Sequence, residues 1–395
     1  MIGNRDTCPA CGSGGMEVFH SAAEIPTNSC LLLSSRAEAE AFPTGRIRLG
    51  FCHVCGFISN VDFDEGMAEY SGRYEETQGF SPVFLEFARG LAKHWVDKYD
   101  LAGKAVLEVG CGKGEFLTMM VEEGAGTGIG IDPGVKADRI GSEAKDRLTW
   151  IADFYSDAYR DIEADALVCR HTLEHISPVG DFMRMIRSNI GDRTDMVVLF
   201  ELPDVLRVLR EVAFWDVYYE HCSYFSLGSL ARLFRATGFE VLDVALAYDN
   251  QYLLIEARPS STAQDTAPSP QEAGLAELAA GVQSFASGYG RTKERWRRQV
   301  TALRSEGKGT VIWGAGSKGV AFLTQLGLHD DIEYAVDINP YKHGMFMAGT
   351  GQQIVAPEFL VEYRPDRVIV MNPVYLNEIA NKLKELGLSP DLVSV

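Results

Sequence analysis

Short apolar runs that end in glycine or an acid alternate with helical periodicities along most of the chain. Val106, Leu107 and Val109 form a compact apolar run of the kind that makes a buried parallel strand, and Glu115–Val121 opens a helix directly after it. Further strand-like runs cover Gly128–Asp132, Ala164–Cys169 and Met196–Leu202, while Val241–Ala247 and Gln251–Ala257 read as a closing antiparallel pair. Ahead of the first strand, Phe84, Phe87, Leu91 and Trp95 place one apolar stripe on a helix over Ser81–Tyr99. A Pro/Ser/Thr-rich stretch, Pro259–Pro270, then breaks the pattern. Leu275, Leu278, Val282, Phe285, Tyr289, Trp296, Val300 and Leu303 predict one long amphipathic helix, bent at Gly288 and Gly290 and packed on the unit that follows. The rhythm restarts at Val311–Trp313, so the pattern predicts two α/β units in succession.

Each unit carries a glycine turn between its first strand and first helix. In the first, Glu108 precedes Gly110, Gly112 and Gly114, and Asp132 ends the next strand about 20 residues on, placed for ribose hydroxyls. The sixth position of a G-x-G-x-x-G fingerprint is Glu115 here, so the pattern is Glu-x-Gly-x-Gly-x-Gly. In the second, Gly314-Ala-Gly316-Ser-Lys318-Gly319 matches that fingerprint strictly, with Asp337 after the strand Tyr334–Val336. Such turns let the backbone approach a ligand closely and aim helix amides at it. About 90 residues remain for the second unit, too few for a complete dehydrogenase. Binding of phosphate by this turn, with Lys318 adding charge, fits a nucleotide-bearing substrate.

The region before the first unit is organised differently. Cys8-Pro-Ala-Cys11-Gly is answered by Cys52-His-Val-Cys55-Gly, a spacing expected for four thiolates around one Zn2+. Four protein ligands fill a tetrahedral shell, so the expected role is structural, with a redox disulfide as the competing reading. Cys30 has no partner of its own and reads as a buried thiol, and Ile25–Arg48 as an insertion folding over a neighbouring domain. Tyr70 and Tyr74 are lid or packing aromatics. The formal charge of −18 argues against general binding of nucleic acid or an anionic membrane. No apolar run reaches the roughly 18 residues of a membrane span, Met1–Pro9 lacks a signal-peptide core, and cysteines in C-x-x-C pairs fit a reducing cytoplasm.

Two further clusters carry candidate chemistry. His171 and His175 stand at i, i+4 in Arg-His-Thr-Leu-Glu-His, but no third ligand is visible and a metal is not expected there. Asp153, after the third strand, is a candidate for adenine. Phe214–Ser226 gathers Tyr218, Glu220 and His221 just beyond the fifth strand, where open α/β sheets bind ligands.

The Glu108–Gly114 pattern resembles the first motif of class I S-adenosylmethionine (SAM) methyltransferases. The whole chain resembles the SAM-dependent C-methyltransferases of nucleotide-activated deoxysugar pathways. The resemblance rests on both C-x-x-C-G knuckles, Glu108-Val-Gly-Cys-Gly-Lys-Gly, Tyr218-Tyr-Glu-His-Cys-Ser-Tyr-Phe-Ser, Gly314-Ala-Gly-Ser-Lys-Gly and Asp337-Ile-Asn-Pro-Tyr-Lys-His-Gly. It implies an α/β fold: a zinc module over residues 1–70, a Rossmann-like SAM domain over 71–258, a linker and helix over 259–306, and a second Rossmann-like domain for substrate over 307–395. It implies Glu108, Gly110, Gly112, Gly114, Asp132 and Asp153 at the cofactor, and Gly314, Gly316, Lys318, Gly319 and Asp337 at a nucleotide-sugar. Tyr218, Glu220 and His221 then surround the reacting carbon, with His221 as base, Glu220 orienting it or a sugar hydroxyl, and Tyr218 donating to the enolate. The family's Asn-Thr after the second K-G is Val320-Ala321 here, and its Pro-Trp-Asn is replaced by Asn372-Pro373-Val374-Tyr375. The expected state is a monomer or weak homodimer. Methyl transfer to oxygen or nitrogen, a nicotinamide-dependent oxidoreductase and a non-catalytic SAM sensor are the rival readings.

Overall fold

The structure, a computed structural model, describes residues 7–69, 73–136, 139, 141–260, 268–272 and 274–395. Tyr70 and most of the Pro259–Pro270 linker lie outside the described residues. The N-terminal segment contributes β1 (Glu17–Pro26), α1 (Arg36–Glu40), β2 (Thr44–Phe51) and β3 (Ile58–Asn60). The central unit runs α2 (Pro82–Lys98), β4 (Ala105–Val109), α3 (Glu115–Glu122), β5 (Thr127–Ile131), β6 (Leu148–Ile151), β7 (Ala166–Arg170), α4 (Val179–Ile190), β8 (Val197–Pro203), α5 (Val205–Glu211), β9 (Ser223–Tyr224), α6 (Leu227–Ala236), β10 (Phe239–Ala247) and β11 (Tyr252–Pro259). After α7 (Leu275–Ser305) come β12 (Thr310–Trp313), α8 (Ser317–Leu326), β13 (Tyr334–Val336), β14 (Gln353–Val355), α9 (Leu360–Tyr363), β15 (Arg367–Val370), α10 (Leu376–Glu385) and β16 (Asp391–Ser394).

The central sheet has the order β10-β11-β8-β7-β4-β5-β6 and is parallel except for β11, which pairs antiparallel to both neighbours. β4 and β7 sit in its middle with almost wholly apolar, buried faces, as strands covered by helices on both sides require. The last sheet, β14-β13-β12-β15-β16, is wholly parallel. In both sheets the first strand of the unit is central and ends in its glycine turn, so both turns stand at a sheet's carboxyl edge.

The N-terminal segment does not fold apart from the rest. Its sheet is β1-β2-β3-β9, so its last strand is supplied by Ser223–Tyr224, immediately after the Tyr218–His221 loop. The insertion between β1 and β2 covers the C-terminal unit: Leu31, Leu33 and Ala39 pack with Ala348, and Leu33 bridges Phe346.

Helix α7 packs on more than the unit that follows it. Leu278, Val282 and Phe285 are buried in one core with Leu206 and Leu209 of α5, Ile25 of β1 and Phe322 of α8. Gly288 serves close approach: a Cβ there would lie 2.9 Å from Val212 Cγ2, and the helix runs unbroken over 31 residues. Gly288 is thus required by packing against Val212.

Candidate active site

Both glycine turns and the Tyr218–His221 loop line a single cavity of about 1010 Å³. Val109, at the end of β4, passes the chain into Gly110, Gly112 and Gly114, all at positive φ (71°, 53° and 83°). Gly110 lies against Thr172, where an added Cβ would fall 2.0 Å from Thr172 Oγ1. The turn is held from behind. Asp132 accepts from Gly112 N at 3.0 Å and from Gly134 N at 2.6 Å, and Glu108 accepts from Leu117 N at 3.1 Å. Burial raises Glu108 to about 7, against the pull of nearby Arg170. Glu108 thus anchors α3 to the turn while lining the cavity. Asp153 is exposed at the cavity rim and accepts from Tyr159 OH at 2.6 Å, beside Phe154, which is 61% exposed.

The second turn repeats this arrangement. Asp337 accepts from Ala315 N at 3.0 Å and from Asn339 N at 2.9 Å. Gly314 has φ 113°, whereas Gly316 has φ −108° and nothing within 4 Å of an added Cβ. Gly319 is required by packing, since its Cβ would lie 2.5 Å from Gly314 O. The N-cap residue of α8 is Gly316, which has no side chain to cap the helix amides. Lys318 does not add its charge to the turn as the sequence reading expected. Its Nζ lies 2.8 Å from Asp216 Oδ1 and 3.3 Å from Gln251 Oε1, joining the C-terminal turn to the loop that carries Tyr218. A cation does stand beside the turn: Lys342, a residue of the Asp337–Gly344 motif, whose Nζ lies 3.4 Å from Ala315 O and 3.5 Å from Asp337 Oδ2.

Tyr218 and His221 face each other, with ring centroids 4.1 Å apart. Burial, reinforced by His175 and His171, pushes His221 well below the usual imidazole range. Burial raises the Tyr218 phenol. Glu220 points elsewhere: it accepts from Ser29 N (3.1 Å), Ser29 Oγ (3.3 Å), Tyr74 OH (3.3 Å) and Ser317 Oγ (3.5 Å). It therefore ties the loop to the N-terminal segment and to the second glycine turn, and its carboxylate does not orient His221. Burial lifts it to about 7, against its Ser29 hydrogen bonds. Cys30, a buried thiol pushed up to about 11 by burial, sits beside Ser317 at 3.4 Å and lines the same cavity.

The structure does not bring His171 and His175 into one donor set; His175 instead meets Glu174 and His221. One ligating atom from each of Glu174, His175 and His221 lies within 4.8 Å of the other two. His171 belongs to a different network, with Nε2 3.2 Å from Glu201 Oε1 and Nδ1 3.5 Å from Glu174 Oε1. Burial alone would lower its pKa, but these carboxylates outweigh burial and raise it to about 9. Arg170 pairs with Glu201 at 2.6 Å, and its buried Nη2 has no hydrogen-bond partner among the described residues. Arg170 and Glu174 both line the cavity and were missed as site residues. Their signal was position, at the end of the fourth strand.

The four N-terminal cysteines converge, with Cys8 Sγ 3.6 Å from Cys55 Sγ and Cys11 Sγ 3.7 Å from Cys52 Sγ. Sulfurs about 2.3 Å from a shared tetrahedral ion lie about 3.8 Å apart, so the donor set fits zinc.

Two known families match. The Methyltransferase domain family matches residues 84–244, and the C-methyltransferase C-terminal domain family matches residues 255–388. The C-methyltransferase NovU of Streptomyces niveus is 26% identical over 330 residues, covering 80% of this chain and 77% of that protein. A ribosomal protein L11 methyltransferase of Aeromonas hydrophila is 32% identical over 113 residues, covering 28% of this chain and 35% of its own length. Among solved structures, 1,6-didemethyltoxoflavin-N1-methyltransferase of Burkholderia thailandensis is 18% identical over 46% of this chain and 82% of its own, with a TM-score of 0.34. Magnesium protoporphyrin IX methyltransferase of Synechocystis is 16% identical over 45% of this chain and 84% of its own, with a TM-score of 0.35.

Proposed function

We propose, for this chain, which belongs to the SAM-dependent C-methyltransferases, that it methylates a carbon beside a ketone in a nucleotide-activated deoxysugar. The observation that carries this reading is the shared cavity. Both glycine turns and His221 line one space of about 1010 Å³, room for a cofactor and a nucleotide-bearing acceptor together. The first turn fits SAM. Its glycines are at positive φ, Asp132 faces the ribose position, and the orphaned Arg170 Nη2 offers a donor for a carboxylate. When bound, SAM supplies an electrophilic methyl group. The second turn fits a diphosphate, with the uncapped α8 N-terminus, the open space over Gly316 and the Lys342 ammonium beside it.

The residues of the chain prepare the acceptor carbon. A C–H next to a carbonyl is acidic because its anion delocalises onto oxygen. His221, held neutral by burial, takes that proton, and Tyr218 donates to the enolate oxygen. Glu220 fixes the loop that carries both by its bonds to Ser29 and Ser317. Cys8, Cys11, Cys52 and Cys55 hold a structural Zn2+ that pins the N-terminal segment, and with it Ser29, over the site. Incubation with SAM and a panel of keto-deoxysugar nucleotides tests the reading. A product heavier by one methyl on carbon is expected, and a methyl on oxygen or nitrogen would overturn it.

A further inference from the structure

The catalytic loop meets a carboxylate that the mechanism above does not use. Glu174 is 2% exposed; it stands 3.5 Å from His171 Nδ1, whose charge it helps to hold, and among the described residues neither of its carboxylate oxygens receives a hydrogen bond of ordinary length. A buried carboxylate in that condition is costly unless something donates to it. It lines the cavity together with His175 and His221. The nearest ligating atoms of these three side chains lie within 4.8 Å of one another, and a point shared by such a triangle lies at most about 2.8 Å from each corner. That is hydrogen-bonding distance to one small atom.

We propose that Glu174 and His221, with His175 beside them, seat a hydroxyl group of the acceptor, on the carbon next to the one that is methylated. This rests on the keto-sugar reading and adds a specificity determinant to it. The donor set chooses the group. A carboxylate only accepts, so a ketone oxygen would be repelled by Glu174, whereas a hydroxyl gives Glu174 its hydrogen and keeps lone pairs for an imidazole N–H. A neutral imidazole has one nitrogen of each kind, so His221 can meet the hydroxyl with one and hold the other for the reacting C–H. The hydroxyl thereby positions the neighbouring carbon against its base. Two imidazoles and a carboxylate are also a set that holds a divalent cation, and the experiment separates the two.

The test compares two nucleotide-activated keto-deoxysugars that differ only in a hydroxyl on the carbon beside the methylated one. Wild-type enzyme should prefer the hydroxylated acceptor in kcat/KM by on the order of 10²-fold, the worth of a hydrogen bond to a buried charge. Glu174→Gln, which keeps a weaker neutral acceptor, should shrink the preference to roughly 10-fold. Glu174→Met, of similar size and without an acceptor, should bring it near unity. SAM affinity of both variants serves as the folding control and should stay within about twofold of wild type. A preference that survives both substitutions while methylation continues overturns this inference and leaves the keto-sugar reading standing. Activity abolished by a chelator and restored by a divalent cation, at a stoichiometry of one beyond the four-cysteine site, overturns it in favour of a metal. Failure of the wild type to methylate any keto-sugar nucleotide removes the reading and this inference with it.

Discussion

The two glycine turns should fail in different ways when a side chain is added. Gly316 is extended, at φ −108°, ψ −163°, and an added Cβ meets nothing within 4 Å. Valine there is sterically allowed in the folded chain. Its cost to folding is that of a poorer residue at a helix N-cap, about 1 kcal/mol or a few degrees of Tm. Its side chain fills the space over the α8 amides, where a diphosphate would lose at least one hydrogen bond to a charged group. That is worth about 2 kcal/mol, or roughly a 30-fold weaker Kd. Gly112 is the opposite case. At φ 53° a β-branched residue is strained by about 1–2 kcal/mol or more, and its Cβ would lie 3.1 Å from Glu76 Oε1. Gly112→Val should therefore both destabilise the chain and abolish SAM binding. Calorimetry with SAM, and separately with UDP, dTDP, GDP and CDP, measures both. Gly316→Val should keep SAM affinity within about threefold and weaken whichever nucleoside diphosphate the wild type binds. A Gly316→Val chain that loses SAM but retains the nucleotide would refute the assignment of the turns.

Protein purified without added metal should contain one zinc per chain, and Cys52→Ser should lose it and melt earlier. A zinc-free variant of unchanged Tm would refute a structural role. His20, edge-on to the rings of Phe285 and Tyr289 and with no hydrogen-bond partner for Nε2 among the described residues, is lowered to about 4 by burial and then by Lys293. The unfolded chain therefore takes a proton near pH 6.5 that the folded chain refuses. The stability this confers is full above pH 6.5 and falls by about 3 kcal/mol as the pH drops to 4. His20→Phe should flatten that part of the pH profile in urea denaturation, and an unchanged slope would assign it to other groups.

Much of this architecture was legible because local rules and tertiary structure agree. Strand, glycine turn and helix follow in order at Ala105–Glu122 and at Thr310–Leu326, and each acid capping its turn stands at the end of the next strand. The cysteine knuckles carry their geometry in their spacing. Interactions between units were not legible. Lys318 follows a phosphate-type turn, yet Asp216, brought in by a different sheet, claims its charge. Glu220 adjoins His221 in sequence, but adjacent residues in a loop diverge, and its partners come from Ser29, Tyr74 and Ser317. The carboxylate that does approach His221 is Glu174, from the end of another strand. The departures from the family pattern also change meaning. Val320 and Ala321 are buried residues of α8 itself, while Tyr375 bonds Tyr248 (2.7 Å) and Gln78 (2.8 Å), and Asn372 accepts from Gln251 (2.8 Å). These positions fasten the C-terminal unit to the central one.

Proton removal from carbon is the step on which the proposed chemistry depends, and solvent exchange reads it without methyl transfer. Wild-type enzyme, loaded with S-adenosylhomocysteine and a keto-deoxysugar nucleotide in deuterated water, should replace the hydrogen beside the ketone with deuterium, followed by NMR. His221→Asn keeps much of the side chain's shape and removes the base, and should slow exchange and turnover by roughly 10²–10⁴-fold with SAM affinity unchanged. Exchange at the wild-type rate in that variant would contradict the assignment of His221 as the base.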